Sequence, residues 1–235
     1  MQRSIPVNAP SALKPLALLE DLKADMGITD TTQDKRLSSI LLEASSMAVA
    51  YIGRPILQTD WRDIFDIPLG GKLMGLVLKN YPLVQINAFS SNGALLTEDQ
   101  IAALNIEPNS GTIWPADNGA PLWISGKYVV TYTAGYIAPG DKNGTPSDPW
   151  SVPLDIQRAV RLVASSIWNS SGRDPFLKSE SEQGVGSTAW NTPAPGLAGM
   201  PQSAADALAR YRAGGIHSGF PWPASPWYRP ASQGF

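Results

Sequence analysis

His217 is the chain's one histidine, and there is no cysteine. A serine or cysteine triad would have to be built around His217, which sits in the glycine-containing stretch Gly214-Gly215-Ile216-His217-Ser218-Gly219. A triad needs its base held in a fixed geometry by packed surroundings, and such a stretch is a poor platform for one. His217 therefore reads as an exposed side chain. Metal centres of the His-rich or thiolate kind lack their ligands as well. The carboxylates Glu20, Asp21 and Asp25 fall on one short helix and read as a solvated face, with nothing pointing to the facing pair a glycosidase uses. Gly184-Val185-Gly186-Ser187-Thr188-Ala189 echoes a dinucleotide fingerprint, but no expected strand precedes it and no βαβ unit surrounds it. No catalytic, cofactor-binding or metal-ligating residue is assigned, and the chain reads as a non-enzyme.

The residues that remain are those that make contacts. Arg158 and Arg161 sit three apart on a helix and Arg173 follows its end, the spacing of solvated or salt-bridged positions that an assembly could turn toward a neighbouring subunit. Arg210 and Arg212 flank Tyr211, a cluster of the type found at interface anchors. Trp222, Trp227, Tyr228 and Arg229 stand among prolines in the terminal stretch FPWPASPWYRPASQGF. Large aromatic groups are costly to leave in water, so residues 173 to 235 read as an arm that folds onto a partner, with a plain linker as the other reading.

The composition agrees with a surface meant to be covered. Charged residues make up only 16%, and the net charge of −2 comes from 18 basic and 20 acidic side chains, so no basic field announces a phosphate-gripping protein. Without cysteine no disulfide is available, which suits an intracellular life before assembly. The first residues, MQRSIPVNAPSALKPL, hold no apolar run of signal-peptide type, and no stretch reaches the ~20 apolar residues of a membrane span. A soluble protein is expected.

The elements that would position these residues can be read from periodicity. Residues 1 to 15 look like an extended lead-in. Leu16, Leu19, Leu22 and Met26 share a helical face, with Gly27 as its cap. Thr31 and Asp34 have capping-box spacing, and Leu37, Ile40, Leu41, Ala44, Met47, Ala48 and Tyr51 make a long stripe closed by Gly53 before Arg54-Pro55. Short strands are predicted at residues 56–67, 75–79, 83–89, 112–114 and 127–133, divided by glycine-rich turns, with one short helix near 97–104. On the last strand Tyr128, Val130 and Tyr132 share a face suited to packing on a helix. Gly135 permits a sharp turn, and Pro153 opens a helix whose stripe is Val152, Ile156, Ala159, Val160, Val163 and Ile167. The expected fold is α+β: a mainly helical core of three to four helices, with a small antiparallel β-region inserted between the second helix and the last long one. Residues 1–172 form this core domain, and 173–235 form the arm, with a short helix near 203–212.

In sequence order, LALLEDLKADMGI, AVAYIGRPI, VTYTAGY and VPLDIQRAVRLVASSIWNSSGRD resemble the head–tail connector, or adaptor, family of tailed bacteriophages. The likeness spans about residues 16 to 173, with Gly53-Arg54, Ala134-Gly135-Tyr136 and Pro153 at its motif positions. It departs at Trp168 and Arg173, where the family more often has an aromatic pair and an acidic-arginine ending, and residues 213 to 235 have no counterpart. The resemblance implies a homo-oligomeric ring, a dodecamer, beneath the portal protein in the virion neck, assembled in the host cytoplasm. Such a ring extends the DNA channel and joins the capsid to a stopper or tail protein, and the near-neutral charge predicts only weak contact with the double-stranded DNA passing through. It implies no cofactor and no membrane. A β-rich recognition module for carbohydrate or a host surface, using the eight tryptophans as stacking faces, and another neck or tail completion protein are the alternatives.

Overall fold

The computed structural model describes residues 1–8, 12–117, 119, 121–141, 148–171, 179–182, 186–189 and 199–212. In chain order the elements are β1 (Gln2–Pro6), α1 (Leu19–Met26), α2 (Asp34–Ile52), β2 (Thr59–Leu73), β3 (Leu76–Val77), β4 (Leu83–Ser91) and β5 (Ala94–Leu95). They continue with α3 (Glu98–Ala102), β6 (Asn105–Glu107), β7 (Thr112–Trp114), β8 (Trp123–Ala134), α4 (Leu154–Ser170), β9 (Ser179–Glu182), β10 (Gly186–Ala189) and α5 (Gln202–Ala209). The chain is thus mixed α and β with antiparallel sheets. None of its helices, among the described residues, is long and apolar enough to cross a membrane.

Two hydrophobic clusters organise it. The first is helical: α2 buries Leu37, Ile40, Leu41, Ala44 and Ala48, and α4 buries Ile156, Ala159, Val160 and Val163. Leu22 of α1 and Ala204, Ala205 and Leu208 of α5 complete this cluster. The stripes follow from the i, i+3, i+4 spacing read above. Gly27 and Gly53 both end their helices in the left-handed conformation, at φ 67° and 75°. Two polar side chains enter this core with partners: the Ser45 hydroxyl donates to the Leu41 carbonyl and accepts from the Leu16 N–H, and Gln157 donates to the Val152 carbonyl.

The second cluster belongs to the sheets. A five-stranded sheet runs in the order β1-β2-β8-β4-β5, and a three-stranded sheet in the order β3-β7-β6. Tyr128, Val130 and Tyr132 of β8 join Phe65, Ile67 and Phe89 against Leu76, Leu78 and Ile113. The β8 face expected to lie on a helix therefore lies on the small sheet, because the chain between β2 and β8 folds back over its own sheet. This also corrects the expected size of the β-region, which has a core of its own.

Other differences have local causes. The amino-terminal residues are the edge strand β1, fixed by antiparallel pairing with β2 from Gln2–Phe65 to Pro6–Trp61. The buried Asp63 carboxylate accepts from the Lys79 N–H at 2.8 Å and from Gln2 at 3.3 Å, which ties β1 and the chain after β3 to β2. Gly70-Gly71 does not end β2: the register slips between Ile67 and Lys72, and Pro68 to Gly71 bulge out of the ladder. Thr31 does not cap α2, whose N-cap is Gln33, and Asp34 instead meets Lys23 of α1 at 2.7 Å. A complete capping box opens α3, where Thr97 accepts from the Gln100 N–H and the Gln100 side chain accepts from the Thr97 N–H. Pro153 is the residue just before α4, with extended ψ of 142°. A strand, β9, does precede Gly186, but it pairs antiparallel with β10, so Gly186 opens a strand and not the helix that a dinucleotide site requires.

Candidate functional site

The end of β8 is where helices and sheets meet. β8 pairs with both β2 and β4 up to Ala134. Gly135 then donates to the Pro82 carbonyl at 2.9 Å, Tyr136 donates to Ile56 at 2.8 Å, and Gln58 donates to Tyr136 at 2.9 Å. The chain has changed partner, from an antiparallel ladder to a parallel bridge between Tyr136 and Leu57. A second parallel bridge, Ile137 to Ser151, leads into α4. Gly135 has φ 113°, and a Cβ there would lie 2.7 Å from the Leu57 carbonyl carbon and oxygen. Only glycine fits so close an approach of two backbones.

Arg54, directly after the α2 cap, fills the corner under this crossing and is 7% exposed. Its guanidinium lies 3.9 Å over the Tyr81 ring and donates to the carbonyls of Tyr81 and, at 3.3 Å, of Tyr211. Burial pulls its pKa down from the usual guanidinium range, opposed by the nearby Tyr81 and Tyr136 oxygens. Arginine suits this place because its planar fork can stack on a ring and bond two carbonyls at once. Burial likewise raises the Tyr136 and Tyr211 hydroxyls, opposed by Arg54 and Arg210 at Tyr136 and by Arg210 at Tyr211. A protonated Tyr211 donates to the Asp155 carboxylate at 2.8 Å, and Arg210 pairs with the same carboxylate. Arg212 then lies 5.1 Å from the centre of the Tyr51 ring. One junction thus joins the end of α2, the turn before β4, the end of β8, the start of α4 and the end of α5.

The residues singled out from the sequence divide three ways. Gly53, Arg54, Gly135, Tyr136, Arg210, Tyr211 and Arg212 lie at or beside this junction, and Pro153 opens α4 next to it. Arg161 lies elsewhere on α4, where it donates to Asp25 at 2.6 Å and reaches Asp21 at 3.7 Å, joining α4 to α1. Arg158 is exposed on α4. Arg173, Trp222, Trp227, Tyr228 and Arg229 lie outside the described residues, as does His217. Residues 202–209, read as an island within the arm, pack as α5 into the helical cluster. Tyr81 and Asp155 were missed as members of the junction, since neither shares a spacing with the residues it meets.

A second feature is a surface. The β2 bulge holds Leu69 98% exposed, and the following corner leaves Leu73, Met74 and Val77 exposed as well. Ile124 of β8, opposite Lys72, and Trp114, against Gly75, border this apolar end of the sheet. Apolar groups gathered in this way mark contact surfaces rather than reaction sites. Among the described residues no group of three or more His, Cys, Asp or Glu side chains could hold a metal ion.

No family model matches the chain, and no curated protein matches it. Among solved structures it is similar to a chain from the neck of an empty gene transfer agent particle computed with C6 symmetry. That likeness has 16% identity and a TM-score of 0.49, covering 94% of this chain and 100% of the other. A chain of the native gene transfer agent virion has 16% identity and a TM-score of 0.44, over 92% and 98%. A chain of the native particle's neck computed with C12 symmetry has 16% identity and a TM-score of 0.46, over 91% and 98%.

Proposed function

We propose that this chain is a structural neck protein of a phage-like particle: an adaptor whose copies form a ring beneath the portal, extend the DNA channel and join the capsid to a stopper or tail protein. The observation that carries the reading is the convergence of the motif residues. Gly53-Arg54, Gly135-Tyr136 and the start of α4 are separated by long stretches of sequence, and they meet in one hydrogen-bonded corner. The motif residues thus make one structural unit that locks the two cores to each other. A rigid body of that kind suits a part that transmits force between capsid and tail.

The apolar end of β2 is where this reading places a contact between adjacent copies, and a portal above and a stopper below would cover further surface. The net charge of −2 suits a channel that DNA must leave again, because each phosphate neutralised adds affinity through released counterions. The recognition-module reading fits less well. Such modules are usually all-β, whereas α2 and α4 build one of the two cores here. The test is electron microscopy of particles produced without this protein. DNA-filled heads and free tails that fail to join are the expected result, and intact particles at normal yield would remove the assignment.

A further inference from the structure

A groove beside the junction has no role in the reading above. It is a cavity of about 220 Å³ whose lining is almost wholly apolar and includes Pro6, Leu13, Val49, Pro55, Leu57 and Trp61. Its size is below the roughly 300–1,000 Å³ of a small-molecule site, so it suits one or two side chains of a peptide rather than a free ligand. The Trp61 indole in its wall is an aromatic surface of the kind on which extended, proline-rich peptides dock.

The chain itself supplies such a peptide at this point. The described part ends at Arg212, and the carbonyl of Tyr211 just before it accepts from Arg54, whose chain neighbour Pro55 lines the groove. The chain beyond Arg212, residues 213 to 235, is thus tethered within one side chain of the groove wall, and it contains Phe220-Pro221-Trp222-Pro223 and Pro226-Trp227-Tyr228. Residues 213 to 219 can span up to about 23 Å when extended. Prolines favour the extended conformation before binding and so lower its ordering cost.

We infer that the aromatic tail of this chain seats in its own groove, with Trp222 and Trp227 as the anchoring side chains. The arm's first partner is then the subunit it belongs to, and this holds whether or not the chain forms a ring. Because the chain has no cysteine, the contact can be trapped without background. Leu13→Cys, at an exposed position of the groove wall, is combined with Ala224→Cys between the two indoles in the full-length protein. Mild oxidation should give an intramolecular disulfide, read by mass and by non-reducing gel. Adding Trp222→Ala, Trp227→Ala and Tyr228→Ala to that pair leaves the reach of the tail unchanged and should slow the closure about tenfold by lowering the local concentration of the thiol. An unchanged rate would overturn the inference, because reach alone would then explain the closure. So would a disulfide formed only between chains, or none at all.

Discussion

Gly135→Ala tests the junction at its tightest point. The added Cβ would sit 2.7 Å from the carbonyl carbon and oxygen of Leu57 and 2.8 Å from the Ile56 oxygen, at φ 113°. These are backbone atoms, so no side chain can swing aside. Holding an L-residue in so sparsely populated a conformation costs ~1–3 kcal/mol. Relief of the clash has to part the β8 end from Ile56–Leu57, which weakens the bonds from Tyr136 to Ile56 and from Gln58 to Tyr136, each contributing about 1 kcal/mol. The total is on the order of 3–5 kcal/mol, a large share of the ~5–15 kcal/mol that holds a domain together. Gly27→Ala is the matched control: its φ is 67°, but nothing lies within 4 Å of the new Cβ, so it should cost only about 1 kcal/mol. Urea unfolding followed by circular dichroism compares the two, with the shift in midpoint giving the difference at constant slope. If Gly135→Ala is no more destabilising than Gly27→Ala, the close backbone crossing is not what fixes the junction.

Arg54→Lys keeps the charge but cannot stack on Tyr81 while bonding two carbonyls, so unfolding midpoints should fall by the equivalent of about 1–2 kcal/mol. Asp155→Ala removes the acceptor that holds Tyr211 and Arg210, and amide exchange over residues 202–209 should accelerate while that of α2 stays slow. Leu69→Asp changes a side chain that is 98% exposed; monomer stability should stay within about 0.5 kcal/mol, while self-association measured by light scattering should weaken. Binding of double-stranded DNA, followed by fluorescence anisotropy across a salt series, should be weaker than micromolar at physiological salt and fall steeply as salt rises.

The sequence made the long amphipathic elements readable because their periodicity reports burial directly. The α2 stripe and the alternation along β8 appear in the structure at the residues expected, and so do the glycine caps at Gly27 and Gly53. β1 was hidden because an edge strand with little buried surface carries no alternation, and only Ser4 of its five residues is even half-buried. The bulge at Pro68 to Gly71 was misread since Gly-Gly marks a turn and a bulge equally well. The Thr97–Gln100 box was a usable signal for α3, whereas the similar Thr31–Asp34 spacing carried no cap. The junction was half legible: Gly53-Arg54 and Ala134-Gly135-Tyr136 stand out as motifs, but their meeting with Tyr81 and Asp155 is set by tertiary folding and leaves no trace in local spacing.

The adaptor reading stands or falls on the assembly the chain makes. Mass measurement of the full-length protein, alone and mixed with the portal ring of its own particle, tests that most directly. The account predicts stoichiometric co-elution, with about 300 kDa added to the portal by twelve copies of the 25.1 kDa chain. A chain that stays monomeric and elutes apart from the portal would contradict it.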